Sequence, residues 1–433
     1  MTLSIGTPLQ GQGLAYPGVE PRLLAGDGTV EDLATYRSRG GYRPLGDEEV
    51  FLADVAAAGL RGRGGAAFPA AIKLGTVRAN AADSVVVANG EEGEPASVKD
   101  RWLLRNRPHL VLDGLRLAAR VVGSTVGYVY LSDTLAQERI LAALAELTTD
   151  PAFDLQVDVV KVDPAYVAGE ESAAVRAING GPALPTEKPP RPFEEGVGGL
   201  PTLINNVETL ANIAVLHRLG VDGYRGHGTD TSPGTFLMTL STPEGSDLFE
   251  IPFGVTLREV LQWAGTDPDS VHGFLMGGYF AGVVGPHALD LVLDYDVYAA
   301  AGTGLGCGAV VVLDHRMCPV ATSAAVMSYF GTENASQCGS CFNGTSAMAT
   351  VLESLRDTAA DRGEIDRLEH WSTFLRGRGA CGTLDGATNV AASLLREFPA
   401  VVEAHLAGHC AVCESKQFPS YPPYGIFYAE PHA

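Results

Sequence analysis

Short apolar runs alternate with helical patterns through the first half of the chain. The runs at 84–90, 125–132 and 155–162 are rich in β-branched residues and short enough for strands, and helical patterns lie between them at about 108–121 and from 134. Strands that alternate with helices are typical of a parallel sheet with helices on both faces. The pattern therefore predicts an α/β fold for this part of the chain.

The pattern changes after the polar stretch HGTDTSPG at 227–234. Apolar strands around one helix predict a small α+β module, whereas amphipathic, Ala-rich helical patterns dominate the last hundred residues. We therefore expect four parts, which are an N-terminal arm at 1–45, an α/β domain at 46–230, the α+β module at 231–300 and a helical domain at 301–433.

The chain of 433 residues has a formal net charge of −21, from 51 acidic and 30 basic residues. A nucleic-acid-binding protein needs a basic surface, so this balance argues against that class. No run of about 18 apolar residues predicts a membrane span. The start, MTLSIGTPLQ, lacks the basic and apolar regions of a secretory signal. We therefore expect a cytoplasmic protein whose seven cysteines are thiols or metal ligands.

The stretch GRGGAAF at 62–68 lies between two helical patterns. Gly62, Gly64 and Gly65 let backbone N–H groups approach a phosphate closely, and the next helix presents its positive end there. Lys73 adds a cation on that helix. The stretch is not the G-x-G-x-x-G fingerprint, and a simple tight turn explains it equally well.

Three further polar loops stand at ends of strands or starts of helices. NGEEGEP at 89–95 closes a predicted strand, while GEES at 169–172 and NNVET at 205–209 open helices. Carboxyl ends of strands are where open α/β sheets bind ligands, and acidic side chains suit a ligand with hydroxyl and ring N–H donors, such as a flavin or a nicotinamide ribose. A solvated loop at 89–95 and helix capping by one carboxylate or by Asn205 are the structural alternatives.

Seven motifs in one order carry a resemblance to a known family. They are GLRGRGGAAFP, NGEEGEP followed by KDR, YVAGEES, KPP, PTLINNVETLAN, AAGTGLG and the cysteine loop ENASQCGSC. Together they resemble the NADH-binding flavoprotein subunit of respiratory complex I and the same module of NAD(P)-linked hydrogenases and formate dehydrogenases. The resemblance runs from about residue 45 to residue 410.

The resemblance implies a Rossmann-like domain that binds FMN with NAD(P)H stacked on it, a β-grasp module, and a C-terminal helical bundle with a [4Fe–4S] cluster. It places the FMN contacts at Gly62, Arg63, Gly64, Gly65, Lys73, Asn89, Glu91, Glu92, Gly169, Glu170, Glu171, Asn205, Asn206 and Thr209. It places the nicotinamide-nucleotide contacts at Phe68, Glu94, Glu171 and Lys188. Hydride transfer to FMN needs stacking and not a general acid or base, so no catalytic residue is expected.

Two residues depart from the family's pattern. Arg191 replaces an aromatic residue after KPP, and it either pairs with a 2′-phosphate of NADPH, stacks on adenine, or is simply exposed. In the cysteine loop, Ala335 stands where the family has the first of three cysteines, while Cys338 and Cys341 remain in a C-x-x-C pair. The resemblance matches the remote fourth ligand to Cys381.

Three interpretations of the cysteine site stay open. The site holds a [4Fe–4S] cluster with a fourth ligand that is not cysteine, or a [3Fe–4S] cluster. Alternatively it borrows a thiol from elsewhere, or the cluster is lost and the cysteines are ordinary thiols. The candidate donors elsewhere are Cys307, Cys318, Cys410 and Cys413.

The C-terminal histidines and cysteines offer one more candidate. His405 and His409 are four residues apart, with Cys410 and Cys413 just beyond. A zinc site is one interpretation of this spacing, and a solvated helix end is the other. Cys318, like Cys307, is expected to be a small buried residue.

We therefore expect an FMN-dependent NAD(P)H oxidoreductase that passes electrons from NADH to an iron–sulfur centre or a protein carrier. The resemblance implies a separate thioredoxin-like [2Fe–2S] subunit or a ferredoxin as partner, and a cytoplasmic site that can be peripheral to a membrane complex. Two alternatives stay open. One is a two-electron diaphorase without a cluster, and the other is a degenerate scaffold subunit that binds flavin or nucleotide.

Overall fold

The computed structural model describes residues 13–24, 30–80, 83–414, 419 and 421–426. Its strands are β1 Leu14–Ala15, β2 Val85–Asn89, β3 Val126–Leu131, β4 Gln156–Lys161, β5 Thr202–Asn206, β6 Thr235–Thr242, β7 Gly245–Pro252, β8 Val271–Met276, β9 Val283–Val284 and β10 Ala309–Asp314. Its helices are α1 Leu33–Ser38, α2 Glu48–Ala57, α3 Ala70–Asn80, α4 Lys99–Asn106, α5 Pro108–Val122, α6 Thr134–Leu147, α7 Glu171–Ile178, α8 Val207–Arg225, α9 Leu257–Trp263, α10 Tyr295–Ala300, α11 Pro319–Glu333, α12 Gly339–Arg356, α13 Arg362–Phe374, α14 Thr383–Glu397, α15 Pro399–Leu406 and α16 Ala411–Glu414.

The first sheet has four parallel strands in the order β4-β3-β2-β5. Strands β2, β3 and β5 are largely buried, as expected for a parallel sheet, whereas the edge strand β4 is partly exposed. Val86 and Ala88 lie in the core cluster that contains α5 and α8, while Val85 and Val87 lie in the cluster that contains Ala174 of α7. The α/β prediction for this region is therefore confirmed.

The strand β5 is a difference from the sequence prediction, which placed a helix from residue 205. The run TLINN pairs with β2 along its whole length, with Asn205 opposite Ala88 and Asn206 opposite Asn89. Helix α8 begins only at Val207, and its N-cap is Asn206, whose side chain accepts a hydrogen bond from the Glu208 N–H. Asn205 is therefore a strand residue and not the helix cap.

The second sheet has six strands in the order β1-β7-β6-β10-β8-β9. Strand β10 lies in its interior, parallel to β6 and antiparallel to β8. This strand falls within the range 301–433, which is predicted to be a helical domain, but it belongs to the sheet of the preceding module. A central strand with the apolar sequence AVVVL is buried on both faces, so its run lacks the alternation that marks a half-exposed strand.

The C-terminal helices cover one face of this second sheet. Val311 and Leu313 of β10 face a core that includes residues of α11, α12 and α14, while Val310 and Val312 face the opposite core around α9. This arrangement fixes the start of the cysteine loop, because that loop follows α11 directly.

The predicted N-terminal arm lies partly outside the described residues. Within its described part, β1 pairs with β7, and the buried carboxylate of Glu250 accepts hydrogen bonds from the N–H groups of Arg22, Leu23 and Leu24. Helix α1 packs nearby on α5 and α6. In the part of the chain that the structure describes, no helix has the length and apolar character needed to cross a membrane.

Candidate functional site

The glycine loop lies between α2 and α3 and is closed by its own backbone. The Gly62 N–H donates to the Phe68 carbonyl at 2.8 Å. Gly65 has a φ of +117°, which side-chain-bearing residues rarely adopt, and the nearest atom to a Cβ built there is 4.0 Å away. A Cβ on Gly64 would lie 3.1 Å from Asn206 Cβ. The loop is therefore an open cradle placed against the end of β5.

Arg63 connects this loop to α8 and to the second sheet. Its backbone N–H donates to Thr209 Oγ1 at 2.8 Å, and its buried guanidinium lies 4.8 Å from the Phe253 ring centroid and donates to the Thr235 carbonyl at 3.3 Å. These partners belong to α8 and to the second sheet. The side chain of this predicted FMN contact therefore makes interior contacts that hold the loop in place.

Two polar side chains at the carboxyl edge of the first sheet each have a terminal atom without a hydrogen-bond partner among the described residues. Glu91 Oε2 and Asn205 Nδ2 are buried, and among the described residues neither has a hydrogen-bond partner. The other Glu91 oxygen accepts from the Ala165 N–H at 3.4 Å, and burial raises the pKa of Glu91 to about 7. Buried polar atoms normally have partners, so these two atoms indicate a ligand with both an acceptor and a donor.

The neighbouring Glu92 is used differently. Its oxygens accept from the Ser97 hydroxyl at 2.6 Å and from the backbone N–H groups of Asp100 and Arg101 at 3.1 Å. These bonds cap the first turn of α4, which the sequence analysis did not predict. A direct contact of Glu92 with FMN stays a prediction, and its observed role is to fix the loop.

A buried ion cluster beneath the loops was missed by sequence reasoning. Lys99 Nζ lies 2.6 Å from Asp100 Oδ1 and 3.0 Å from Glu208 Oε2, and Asn206 Nδ2 donates to Asp100 Oδ2 at 2.7 Å. Burial alone would lower the pKa of Lys99, but the two carboxylates raise it above its usual value. Two of its members, Lys99 and Asp100, lie in the motif KDR. From the sequence alone, three charged residues after a polar loop are expected to be exposed to solvent.

Cation–carboxylate pairs flank the mouth of the site. Lys73 pairs with Glu171 and Lys188 pairs with Glu170, all four being partly exposed. Glu170 also caps α7 by accepting from the Ser172 N–H at 2.9 Å. These predicted contacts are thus close to one another, as the sequence analysis expected of loops at one sheet edge.

The remaining predicted contacts are Glu94, Phe68 and Asn89, and their surroundings differ. Glu94 accepts from the Tyr279 N–H at 2.9 Å, and burial raises its pKa to about 8 although the residue keeps some exposed surface. Phe68 exposes 52% of its surface, which is high for a large aromatic residue. Asn89 Nδ2 donates to the Gly169 carbonyl at 2.8 Å and joins two of the loops.

This set of groups fits FMN. The open glycine cradle before α3 offers backbone N–H groups and a helix start to a phosphate, while the two partnerless atoms of Glu91 and Asn205 offer an acceptor and a donor. The exposed Phe68 ring offers an apolar face for a second planar ligand.

The three cysteines of the second candidate site meet around one cavity of about 1130 Å³. Cys338 Sγ accepts from the Ala380 N–H at 3.5 Å. Burial, followed by the nearby thiols of Cys381 and Cys338, raises the pKa of Cys341 to about 12. Ala335 lines the same cavity. The site therefore fits a cluster held by three thiolates, with no protein thiol at the fourth position.

None of the four cysteines named as candidate thiol donors lines the cysteine cavity. Cys318 precedes α11, whereas the cysteine loop follows it, and a helix of 15 residues is about 22 Å long. Cys410 and Cys413 lie with Cys318 and not with Cys338. Cys307 lies beside the glycine loop, where its Sγ contacts the Gly277 carbonyl at 3.7 Å.

Aromatic side chains fill the space between the two sites. The ring of Tyr166 lies 6.0 Å from that of Tyr329 and 5.2 Å from that of Phe330. Burial raises the pKa of Tyr166 well above its usual value, with further contributions from groups on both sides, among them Glu94 and Cys381. The flavin side and the cysteine side are therefore within reach of one residue.

The cysteine loop is also tied to the first domain by Gln337. Its Nε2 donates to the Pro185 carbonyl at 3.0 Å, and its Oε1 accepts from Arg176 at 3.4 Å. The loop at 185–191, which includes Lys188, thus lines the cysteine cavity.

Comparison with known proteins agrees with both sites. Residues 55–215 match the family model described as the Nuo51 FMN-binding domain, and residues 321–405 match the NADH-ubiquinone oxidoreductase-F iron–sulfur binding region. An F-type NADH-quinone oxidoreductase subunit of Rhizobium meliloti (strain 1021) is 33% identical over 86% of this chain and 94% of that protein. The NADP-reducing hydrogenase subunit HndC of Solidesulfovibrio fructosivorans is 32% identical over 80% of this chain and 74% of that protein.

A solved structure supports the same assignment. The crystal structure of an NAD+-reducing [NiFe]-hydrogenase in the H2-reduced state matches 84% of this chain with a TM-score of 0.77 and 32% sequence identity. This chain spans 64% of that hydrogenase chain's length.

The fold and the two sites define a flavin-dependent NAD(P)H dehydrogenase with an iron–sulfur binding region. The chain belongs to the family of complex I F-type flavoprotein subunits, in which it aligns along almost its whole length. The resemblance inferred from the sequence motifs is confirmed, as is the expectation of an oxidoreductase that uses FMN and NADH.

Proposed function

We propose that this chain takes a hydride from NADH onto FMN at the carboxyl edge of the first sheet and passes the electrons to a three-thiolate iron–sulfur centre at Cys338, Cys341 and Cys381. The observation that carries the proposal is that Tyr166 links the two sites. The N–H of its neighbour Ala165 donates to Glu91 at the sheet edge, and its ring packs on Phe330 of α11, the helix that leads into the cysteine loop. Bound FMN supplies the conversion of a two-electron donor into single electrons.

The chain's own residues hold and orient the ligands in this proposal. The glycine cradle with Lys73 binds the phosphate, and Glu91 and Asn205 bind polar groups of the flavin. Phe68 and Glu94 lie where the nicotinamide nucleotide is expected, and Lys188 closes the site from the opposite loop. Hydride transfer needs no proton on a side chain, so the proposal includes no catalytic acid or base.

Electron transfer out of the chain requires a separate carrier, and the rim of the cysteine cavity suggests its chemistry. Four cationic residues line this cavity against two acidic ones, in a chain of net charge −21. The cations are Arg176, Lys188, Arg191 and Arg378, and the acids are Glu187 and Asp385. Complementary charge steers association, so we propose an acidic carrier such as a ferredoxin or a thioredoxin-like [2Fe–2S] protein.

Two finer points belong to this proposal. Arg191 is exposed on the cavity wall, where it can meet a 2′-phosphate, so use of NADPH beside NADH is open to a direct comparison of the two substrates. A cytoplasmic location is supported by the seven cysteines, none of which forms a disulfide among the described residues.

A cluster-free diaphorase is the second candidate, and Ala335 is the observation that favours it. Comparison of the iron content of the wild type and of Ala335→Cys separates the two, because the variant adds a fourth thiolate to the three at the site and only the wild type shows whether three suffice. We expect A335C to contain iron like the wild type, with an altered electron paramagnetic resonance spectrum after reduction by NADH. Flavin reduction with no iron in either protein would favour the diaphorase.

A further inference from the structure

A second group of cysteine and histidine side chains lies at the opposite end of α11 from the cysteine cavity. Cys318 is the N-cap of α11 and His405 lies in the last turn of α15. Cys410 directly precedes α16, and Cys413 lies within it. The four ligand atoms all lie within 4.8 Å of one another. The group is separate from the three-thiol site and has no part in the proposed electron transfer.

The distances in this group are those of ligands around one ion. Cys318 Sγ lies 3.2 Å from His405 Nε2 and 3.9 Å from Cys410 Sγ, and Cys413 Sγ lies 3.8 Å from His405 Nε2. Tetrahedral zinc with Zn–S of about 2.3 Å and Zn–N of about 2.0 Å requires about 3.8 Å between sulfurs and about 3.6 Å between sulfur and nitrogen. The observed distances lie close to these values.

The histidine is oriented as a metal ligand. His405 is fully buried, and its Nδ1 lies 2.9 Å from the Leu355 carbonyl, which can only accept a hydrogen bond. The proton is therefore on Nδ1, and the lone pair of Nε2 faces the thiols. A backbone carbonyl that fixes the ring in this way is the usual neighbour of a zinc-bound histidine.

We propose that Cys318, His405, Cys410 and Cys413 bind one structural zinc ion. Three thiols and one imidazole form a Cys₃His set, which is typical of structural zinc. Two of the thiols, Cys410 and Cys413, form a C-x-x-C pair. Two of the cysteines are buried, with 4% and 7% of their surface exposed, and four protein ligands leave no open position for a substrate. The expected burial of Cys318 is confirmed, and its thiol also lies close to the three other potential ligands.

The ion would fix the place where the chain turns back toward the flavin site. Beyond Cys413, the described segment 421–426 lies along α11, where Tyr424 hydroxyl is 2.7 Å from Thr322 Oγ1, one turn after Cys318. The Ile426 N–H then donates to the Pro95 carbonyl at 3.0 Å. Pro95 follows Glu94 directly, so the zinc group and the nucleotide loop are joined through this segment.

The first test is metal analysis of the purified full chain and of two variants. We expect about one zinc per wild-type chain, loss of most of it in Cys410→Ser, and full retention in His409→Ala. His409 is the matched control, because it is exposed and lies next to Cys410 but outside the group. Zinc in clearly less than equimolar amount in the wild type, or equal zinc in C410S and the wild type, would overturn the proposal.

A second test does not depend on how well a variant folds. Cobalt exchanged into the wild-type chain should give the intense visible d–d bands of tetrahedral coordination together with thiolate-to-cobalt charge transfer. Hydrogen exchange of residues 421–426 should accelerate at least about tenfold when a chelator removes the ion. Cobalt spectra of octahedral form, or exchange in this segment that ignores the chelator, would contradict a structural site here.

Discussion

The flavin edge and the cysteine cavity differ in what holds them together. The edge is built on the ends of two paired strands and stands on the buried cluster of Lys99, Asp100 and Glu208. The cavity is built from two loops. The Ser340 hydroxyl joins them by donating to the Arg378 carbonyl at 2.6 Å, and Gln337 links the cavity to the first domain by donating to the Pro185 carbonyl at 3.0 Å. We therefore expect the edge to keep its shape without a ligand and the cavity to depend more on the group it binds.

This difference has a direct functional consequence. Loss of the cluster should leave hydride transfer from NADH intact, because the flavin edge does not rest on the cysteine loop. Damage to the edge should remove both reactions, because electrons reach the cluster only through the flavin. The following variants separate the two cases.

The largest effect is expected for Lys99→Met. This change leaves two buried carboxylates without their cation, which typically costs about 3–5 kcal/mol. We expect a large fall in thermal stability and loss of FMN on gel filtration. The matched control is Arg362→Met, since Arg362 pairs with Glu403 on the surface with more than half of each side chain exposed, and such exposed pairs contribute little to stability. A K99M protein as stable as R362M would show that the cluster does not support the edge.

Cys381→Ser should affect only the cavity. We expect loss of cluster iron and of one-electron transfer, with FMN content and the rate of flavin bleaching by NADH close to wild type. Asn343→Ala is the control, since this exposed residue lies on α12 two positions after Cys341 and does not line the cavity. If C381S also loses flavin, the two sites are not independent.

Arg378→Glu should weaken only the delivery of electrons to an acidic carrier. Arg378 is exposed on the rim, and reversal of its charge should slow reduction of a ferredoxin about tenfold at low salt, with the difference shrinking as salt screens the charges. Arg362→Glu at the other end of α13 should have little effect. Equal rates for the two variants would argue against docking at this rim.

The smallest effect is a pH dependence at Glu91. Its pKa is raised from 4.5 in the unfolded chain to about 7 in the folded protein. The free energy of unfolding therefore falls as the pH rises from about 4.5, and the fall is complete above about pH 7. Glu91→Gln removes this loss, and its stability advantage over the wild-type apoprotein should grow between about pH 5 and about pH 8, by at most about 3 kcal/mol. Thermal unfolding at several pH values measures the difference. A constant difference would mean that Glu91 ionises normally.

Much of the flavin edge could be predicted from the sequence, because carboxyl ends of parallel strands share one edge of a sheet. Loops far apart in the chain, such as 62–68 and 169–172, therefore had to come close together. The fate of single side chains could not be predicted in this way. Glu92 and Arg63 have the residue types of ligand contacts, yet their side chains bind helix α4 and the second sheet.

Features that depend on contacts between residues far apart in the sequence could not be predicted. Strand β5 is short and becomes a strand only because β2 offers it a partner. Cys318 and His405 are 87 residues apart, and nothing in either local sequence connects them. The burial of Lys99 likewise depends on Glu208, which lies on another helix.

The most direct test of the central claim is iron and acid-labile sulfide per FMN in the anaerobically purified wild-type chain, with its visible spectrum before and after NADH. The account predicts about three to four irons per FMN with similar sulfide, broad absorbance beneath the flavin bands, and bleaching of both by NADH. Flavin that NADH bleaches in a protein without iron would contradict it, and would leave the cysteine cavity without a role in electron transfer.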